Sequence, residues 1–306
     1  MTMENKTINP MMCDVETGMC ALPESGVTDS TLQSSPSEKP LKVIYFTDPI
    51  CSTCWGIEPQ LRKLKLEHGH LLTIEYRMGG LLPDWDYSSG GISKPSDVAT
   101  HWDEVSAHYD MPIDGDVWLE DPLYSSYPPS VAVKAAQIQD GEKAVSFLRR
   151  IREMVFLEKK NITRREHLLD AASYAGLDVN KFEWDLGNSA NDRFQSDLEM
   201  AKQFGVRGFP TFFITAAAGT RQKIYGIKPY AVFENAVTSL LDDPQKTDYP
   251  RDWSALFTSY PTLTTREFAE LSDRSKEESQ QLLHQLVSEG KLEQQSTKNG
   301  VLWKRK

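Results

Sequence analysis

Asp48-Pro49-Ile50-Cys51-Ser52-Thr53-Cys54-Trp55-Gly56-Ile57-Glu58-Pro59 is the stretch on which the fold turns. Before it, residues 41–46 (Leu-Lys-Val-Ile-Tyr-Phe) are apolar enough for a buried strand. After it, Trp55, Ile57, Leu61, Leu64 and Leu66 mark a helix over residues 54–67. Cys51 and Cys54 therefore stand where a strand gives way to a helix. The first N–H groups of a helix have no internal partner and favour negative charge, so Cys51 is expected to have a lowered pKa and to be the attacking thiol. Cys54, one turn on, is placed to close a disulfide and to resolve a mixed one. Pro59 falls where a kink in this helix is expected.

Further out, residues 71–76 return to strand character, and residues 95–204 are mostly helical. Gly208-Phe209-Pro210-Thr211 leads into a strand at 211–215, a second strand follows at 222–225, and residues 230–241 make a closing helix. Strand, helix, strand, helical block, strand, strand, helix is the order of an α/β thioredoxin fold with an inserted helical domain. In that fold Pro210 is expected to face Cys51 through a cis peptide bond. The expected organisation is a flexible tail over 1–39, the main domain over 40–243 with its insertion at about 85–204, and a further unit over 250–306.

That last unit follows a polar linker holding Pro244 and Pro250. Helices start at Thr264 and Lys276, and the latter ends at Gly290. Two short strands then flank Lys298-Asn299-Gly300, a hairpin signal. Helix, helix, hairpin is the pattern of a small winged helix, expected to fold outside the thioredoxin core. Winged helices often bind DNA, but residues 250–306 hold nine Lys/Arg against eight Asp/Glu, and the second helix opens acidic. Phosphate binding needs positive charge, so a protein partner is the better expectation.

The whole chain has 306 residues, a net charge of −10, 39% hydrophobic and 25% charged residues. Its acidity argues against wholesale binding to nucleic acid or an anionic membrane. Residues 1–40 hold no apolar run long enough for a signal-peptide core or a spanning helix, so the cytoplasm is the expected location. Four cysteines fall in two pairs, Cys13/Cys20 and Cys51/Cys54. In a reducing compartment close pairs are redox-active or metal-binding more often than structural.

At the Cys51–Cys54 stretch and the Pro210 loop, residues 41–241 resemble the DsbA-like thioredoxin family. Within it they resemble the cytosolic members with a Cys-x-x-Cys-Trp motif: FrnE-like isomerases and SpxH-like (YjbH-like) adaptors of the ClpXP protease. Asp116-Val117-Trp118-Leu119, Lys159-Lys160-Asn161-Ile162-Thr163 and the ending Val301-Leu302-Trp303-Lys304 favour the SpxH-like side. The resemblance implies a catalytic Cys51, Cys54 and Pro210, with Trp55, Phe209 and Thr211 meeting a protein substrate. Ser52-Thr53 between the cysteines departs from the secreted oxidases and speaks against a strong oxidase.

Two function classes follow. The leading expectation is an enzyme, a thiol–disulfide oxidoreductase or isomerase acting on protein thiols. The alternative is an adaptor that delivers a protein to ClpXP, with the cysteines sensing redox state or holding zinc. No cofactor is required by the first reading; zinc through the cysteines stays open in the second. Cys13/Cys20 is read equally as a regulatory or resolving pair, as metal ligands, or as without function. Arg149, Arg150, Arg152, Lys159 and Lys160 read as a solvated charge run.

Overall fold

The computed structural model describes the backbone of residues 13–14 and 19–21 and the whole of residues 39–86 and 93–306. Most of the tail expected over 1–39 lies outside the described residues. Within it, however, β1 (Cys13–Asp14) and β2 (Met19–Ala21) are strands, paired antiparallel with Cys13 opposite Cys20.

β3 (Leu41–Thr47) is buried along nearly its whole length. A strand covered on both faces needs apolar residues at every position, which is why it reads as a continuous run. Helix α1 (Ser52–Gly56) passes through Ile57 into α2 (Glu58–His68). Pro59 opens α2; its missing N–H breaks the ladder there, as the sequence predicts. β4 (Leu72–Met78) returns parallel to β3.

Among the described residues, seven helices form the insertion: α3 (Pro95–Tyr109), α4 (Val117–Glu120), α5 (Tyr127–Gln139), α6 (Gly141–Leu157), α7 (Arg165–Tyr174), α8 (Val179–Gly187) and α9 (Ala190–Gln203). Then come β5 (Gly208–Phe209), β6 (Thr211–Ala216), β7 (Arg221–Tyr225) and α10 (Tyr230–Thr238). The central sheet runs β4-β3-β6-β7, with β6 antiparallel to its neighbours. A second, small sheet runs β1-β2-β5.

The carboxyl-terminal unit comprises α11 (Trp253–Ser259), β8 (Thr262–Thr264), α12 (Thr265–Ser272), α13 (Lys276–Ser288), β9 (Leu292–Thr297) and β10 (Gly300–Arg305). Its sheet runs β8-β10-β9. Leu256, Phe257, Leu263, Phe268, Leu271, Leu283 and Trp303 form its own core, while Leu302 belongs to the main one. The unit is also tied to the main domain. Arg62 of α2 donates to the Thr262 carbonyl at 2.8 Å, Thr262 donates to Glu153, and Lys298 bridges Asp103 and Asp116. A unit this small has a thin core, and these ties to the main domain supplement it.

Candidate functional site

The site begins with a buried carboxyl. Where β3 ends, Asp48 accepts hydrogen bonds from the Ile50 and Leu81 N–H groups at 3.0 and 2.8 Å and from the Ser126 hydroxyl at 2.9 Å. Burial pushes its pKa up to about 6, and those hydrogen bonds only partly offset the effect. Asp48 fixes the loop that delivers Cys51, whose own N–H donates back to the Asp48 carbonyl at 3.3 Å.

Cys51 is the N-cap of α1, with extended backbone. Its Sγ accepts from the Cys54 N–H at 3.1 Å and lies 3.2 Å from the Thr53 hydroxyl. That hydroxyl donates to the Phe209 carbonyl at 3.1 Å, so one side chain joins the cysteine pair to the opposite loop. The Phe209–Pro210 bond is cis, as the motif order predicts. Thr211 closes the turn by donating to the Gly208 carbonyl at 2.7 Å.

The thiols differ from expectation in exposure and charge. Both are wholly enclosed, and no disulfide joins one to the other. Burial pushes the Cys51 thiol up, outweighing the one N–H it receives. Burial acts on Cys54 too, but there the hydrogen bond with Cys51 and the Arg152 guanidinium prevail, and its pKa is lowered.

Arg152 is the residue the sequence reading missed. It is 1% exposed and lies below the thiols, donating to Glu58 at 2.8 Å and to Thr47 at 2.6 Å. Arg149 is also turned inward, its guanidinium 4.3 Å from the centre of the Trp55 ring. The solvated charge run is therefore wrong for these two. A signal was present: Leu148, Ile151, Val155 and Phe156 place position 152 within the apolar stripe of α6.

The expected substrate contacts also move. Trp55 is fully buried, donates to the Pro112 carbonyl at 3.0 Å and stacks near Phe156, so it forms no docking surface. Phe209 and Thr211 are buried as well. What the Pro210 loop offers a partner is backbone, and β2 is paired with it: Cys20 lies opposite Phe209 and Ala21 opposite Gly208.

For zinc, Cys51 and Cys54 have no third ligand beside them among the described residues; Cys13 and Cys20 would have to supply the rest. One other potential cluster exists among the described residues, Glu67, His68 and Glu234, and Lys246 already pairs with both carboxylates.

A family model described as thioredoxin matches residues 45–235. The ClpXP adapter protein SpxH of Halalkalibacterium halodurans is 34% identical over 302 residues, spanning 97% of both chains. The protein of the same name in Bacillus subtilis is 31% identical over 272 residues, covering 87% of this chain and 90% of that one. Among solved structures, the cytosolic disulfide reductase DsbM of Pseudomonas aeruginosa is 25% identical with a TM-score of 0.53, covering 65% of this chain and 100% of its own. A putative protein disulfide isomerase from Nitrosomonas europaea shares the fold, at 21% identity and a TM-score of 0.58, over 66% of this chain and 97% of its own.

Proposed function

This chain belongs to the SpxH family of thioredoxin-fold proteins, and we propose that it is a protein adapter that hands a bound client to the ClpXP protease. The observation that carries this reading is the full enclosure of Cys51 and Cys54. An enzyme that turns over protein disulfides needs a thiol that collides freely with many substrates, and its rate follows thiolate access. An adapter needs only a shaped surface. Its thiol pair then serves as a switchable part of the scaffold. The match to named adapters over 97% of both chains supports the same choice.

The carboxyl-terminal unit, read as winged-helix-like from its element order, shapes that surface together with α2 and α6. Its near balance of charges suits a protein partner. No helix among the described residues is long and apolar enough to cross a membrane.

The test is reconstitution. Clients are captured on the full chain and then offered to purified ClpXP. An adapter accelerates client degradation at substoichiometric amounts; a client degraded equally fast without the chain refutes the proposal. Disulfide reduction remains the second reading, favoured by the N-cap position of Cys51 and by the 25% identity to DsbM. Reduction of a model protein disulfide with many turnovers per chain would establish it.

A further inference from the structure

The β5 edge is where a thiol site of this geometry would receive an extended polypeptide. The path is short: Phe209 precedes the cis proline, its carbonyl accepts from Thr53, and the Thr53 hydroxyl touches the Cys51 sulfur. An unpaired strand edge adds another strand by main-chain hydrogen bonds, a common mode of peptide recognition. Here the edge is already taken. β2 pairs antiparallel with β5 and packs beside α1, and Cys20 stands at the register position of Phe209.

We propose that the β1–β2 hairpin is an internal peptide partner of the thiol site, occupying the β5 edge in place of an extended client segment and presenting Cys20 as the cysteine with which Cys51 exchanges. This deepens the reading of the thiol pair as a switchable part of an adapter scaffold by naming what switches it, and it rests on that reading. Two observations support it. Cys51 is fully buried, and the strand linked to it through Thr53 already carries β2 as its neighbour. Cys13 stands directly opposite Cys20. Opposed residues in an antiparallel ladder have Cα atoms about 4.5–5.5 Å apart, inside the span a disulfide bridges.

The chemistry balances within the chain. With Cys51–Cys54 oxidised and Cys13 and Cys20 reduced, the Cys20 thiolate attacks Cys51 Sγ. The Cys51–Cys54 bond breaks and Cys54 leaves as a thiolate. The Cys13 thiolate then attacks Cys20 Sγ; the Cys20–Cys51 bond breaks and Cys51 leaves. Two electrons pass from the tail pair to the core pair, and two protons pass through solvent. A closed Cys13–Cys20 bridge staples the hairpin on the edge. Reduction of that bridge by an external dithiol, which leaves as its own disulfide, frees the hairpin to yield to a client.

The test uses the full chain. A Cys13→Ser/Cys54→Ser variant is oxidised with glutathione disulfide, with and without a cysteine-containing peptide, and its bridges are mapped by mass spectrometry without reduction. The expected product is an intramolecular Cys20–Cys51 bridge whose yield does not change with protein concentration. In parallel, Ala21→Pro, which disrupts strand pairing, should raise the alkylation rate of Cys51 about tenfold or more as access to the thiol opens. Capture of the peptide on Cys51 with Cys20 left free overturns the hairpin's role and leaves the thiol site standing. Capture of neither overturns both. An Ala21→Pro rate equal to that of the parent protein overturns the occupied edge.

Discussion

Arg149 of α6 and Glu267 of α12 form a two-armed ion pair, 2.8 Å from Nη1 to Oε1 and 3.1 Å from Nη2 to Oε2, with the carboxylate wholly enclosed. Glu267 also faces Arg62 at 3.2 Å and accepts from the Thr264 N–H at 2.7 Å as half of a capping box. One side chain thus caps a helix of the carboxyl-terminal unit and neutralises two arginines of the main domain. Arg149 in turn covers Trp55, beside Cys54. The two parts are joined next to the thiol site.

Glu267→Ala should therefore act on the whole molecule. It leaves two buried guanidinium groups short of a partner and removes a cap, a class of change costing about 3–5 kcal/mol. Urea unfolding should remain a single transition at a much lower midpoint. If the variant instead shows an early transition confined to residues 250–306, with the remainder unchanged, the coupling is not as described.

Deleting residues 250–306 follows the same logic. The truncated chain would expose Leu302's place in the main core, leave Arg62 and Arg149 without Glu267, and uncover Pro112 beneath Gly300. We expect reduced soluble yield and a lower thermal midpoint. A truncated protein that melts as the full chain does would show the unit to be an independent module.

Arg152 adds positive charge beside Cys54. Arg152→Met removes the nearby positive charge that lowers the Cys54 pKa. The first thiol ionisation, followed by thiolate absorbance against pH, should move upward. Arg152→Lys keeps a charge and should fall between. A titration unaffected by Arg152→Met would remove Arg152 from the site.

Asp48 gives a pH dependence of definite sign. Its pKa in the folded chain is about 6, against an ordinary 3.8. The folded state holds this proton more tightly than the unfolded one. The resulting stabilisation is complete below the ordinary value and is lost as pH rises through about 6. Asp48→Asn abolishes this titration, so between pH 4 and 7 the parent protein should lose roughly 2 kcal/mol more stability than the variant. Parallel urea-midpoint curves for the two proteins would contradict the assignment.

Gly79 supports the Pro210 loop by having no side chain. A Cβ there would lie 1.8 Å from the Phe209 ring. Gly79→Ala should cost about 1–3 kcal/mol through overpacking and should loosen the loop facing Cys51. Gly141→Ala meets open space and serves as the neutral control. Equal thermal midpoints for the two variants would argue against the contact.

The local parts of this protein were legible in its sequence. A strand, a cysteine at a helix start, a second cysteine one turn on and a proline breaking the helix are decided by neighbours a few residues apart, as are the helix start at Thr264 and the Phe209-Pro210 turn. Backbone hydrogen bonding and side-chain capping act over that range, so the thioredoxin-like order and the position of the thiols could be read directly. Tertiary structure alone decided the state of those thiols. Arg149 and Arg152 look like surface charges until Glu267 and Glu58, 118 and 94 residues away, are brought against them. A buried charge is tolerable only with such a partner, and sequence spacing does not reveal the partner. Likewise the enclosure of Cys51, the loss of Trp55 from the surface and the pairing of β2 with β5 arise from segments distant in the chain. Their meeting depends on the packing of the whole fold.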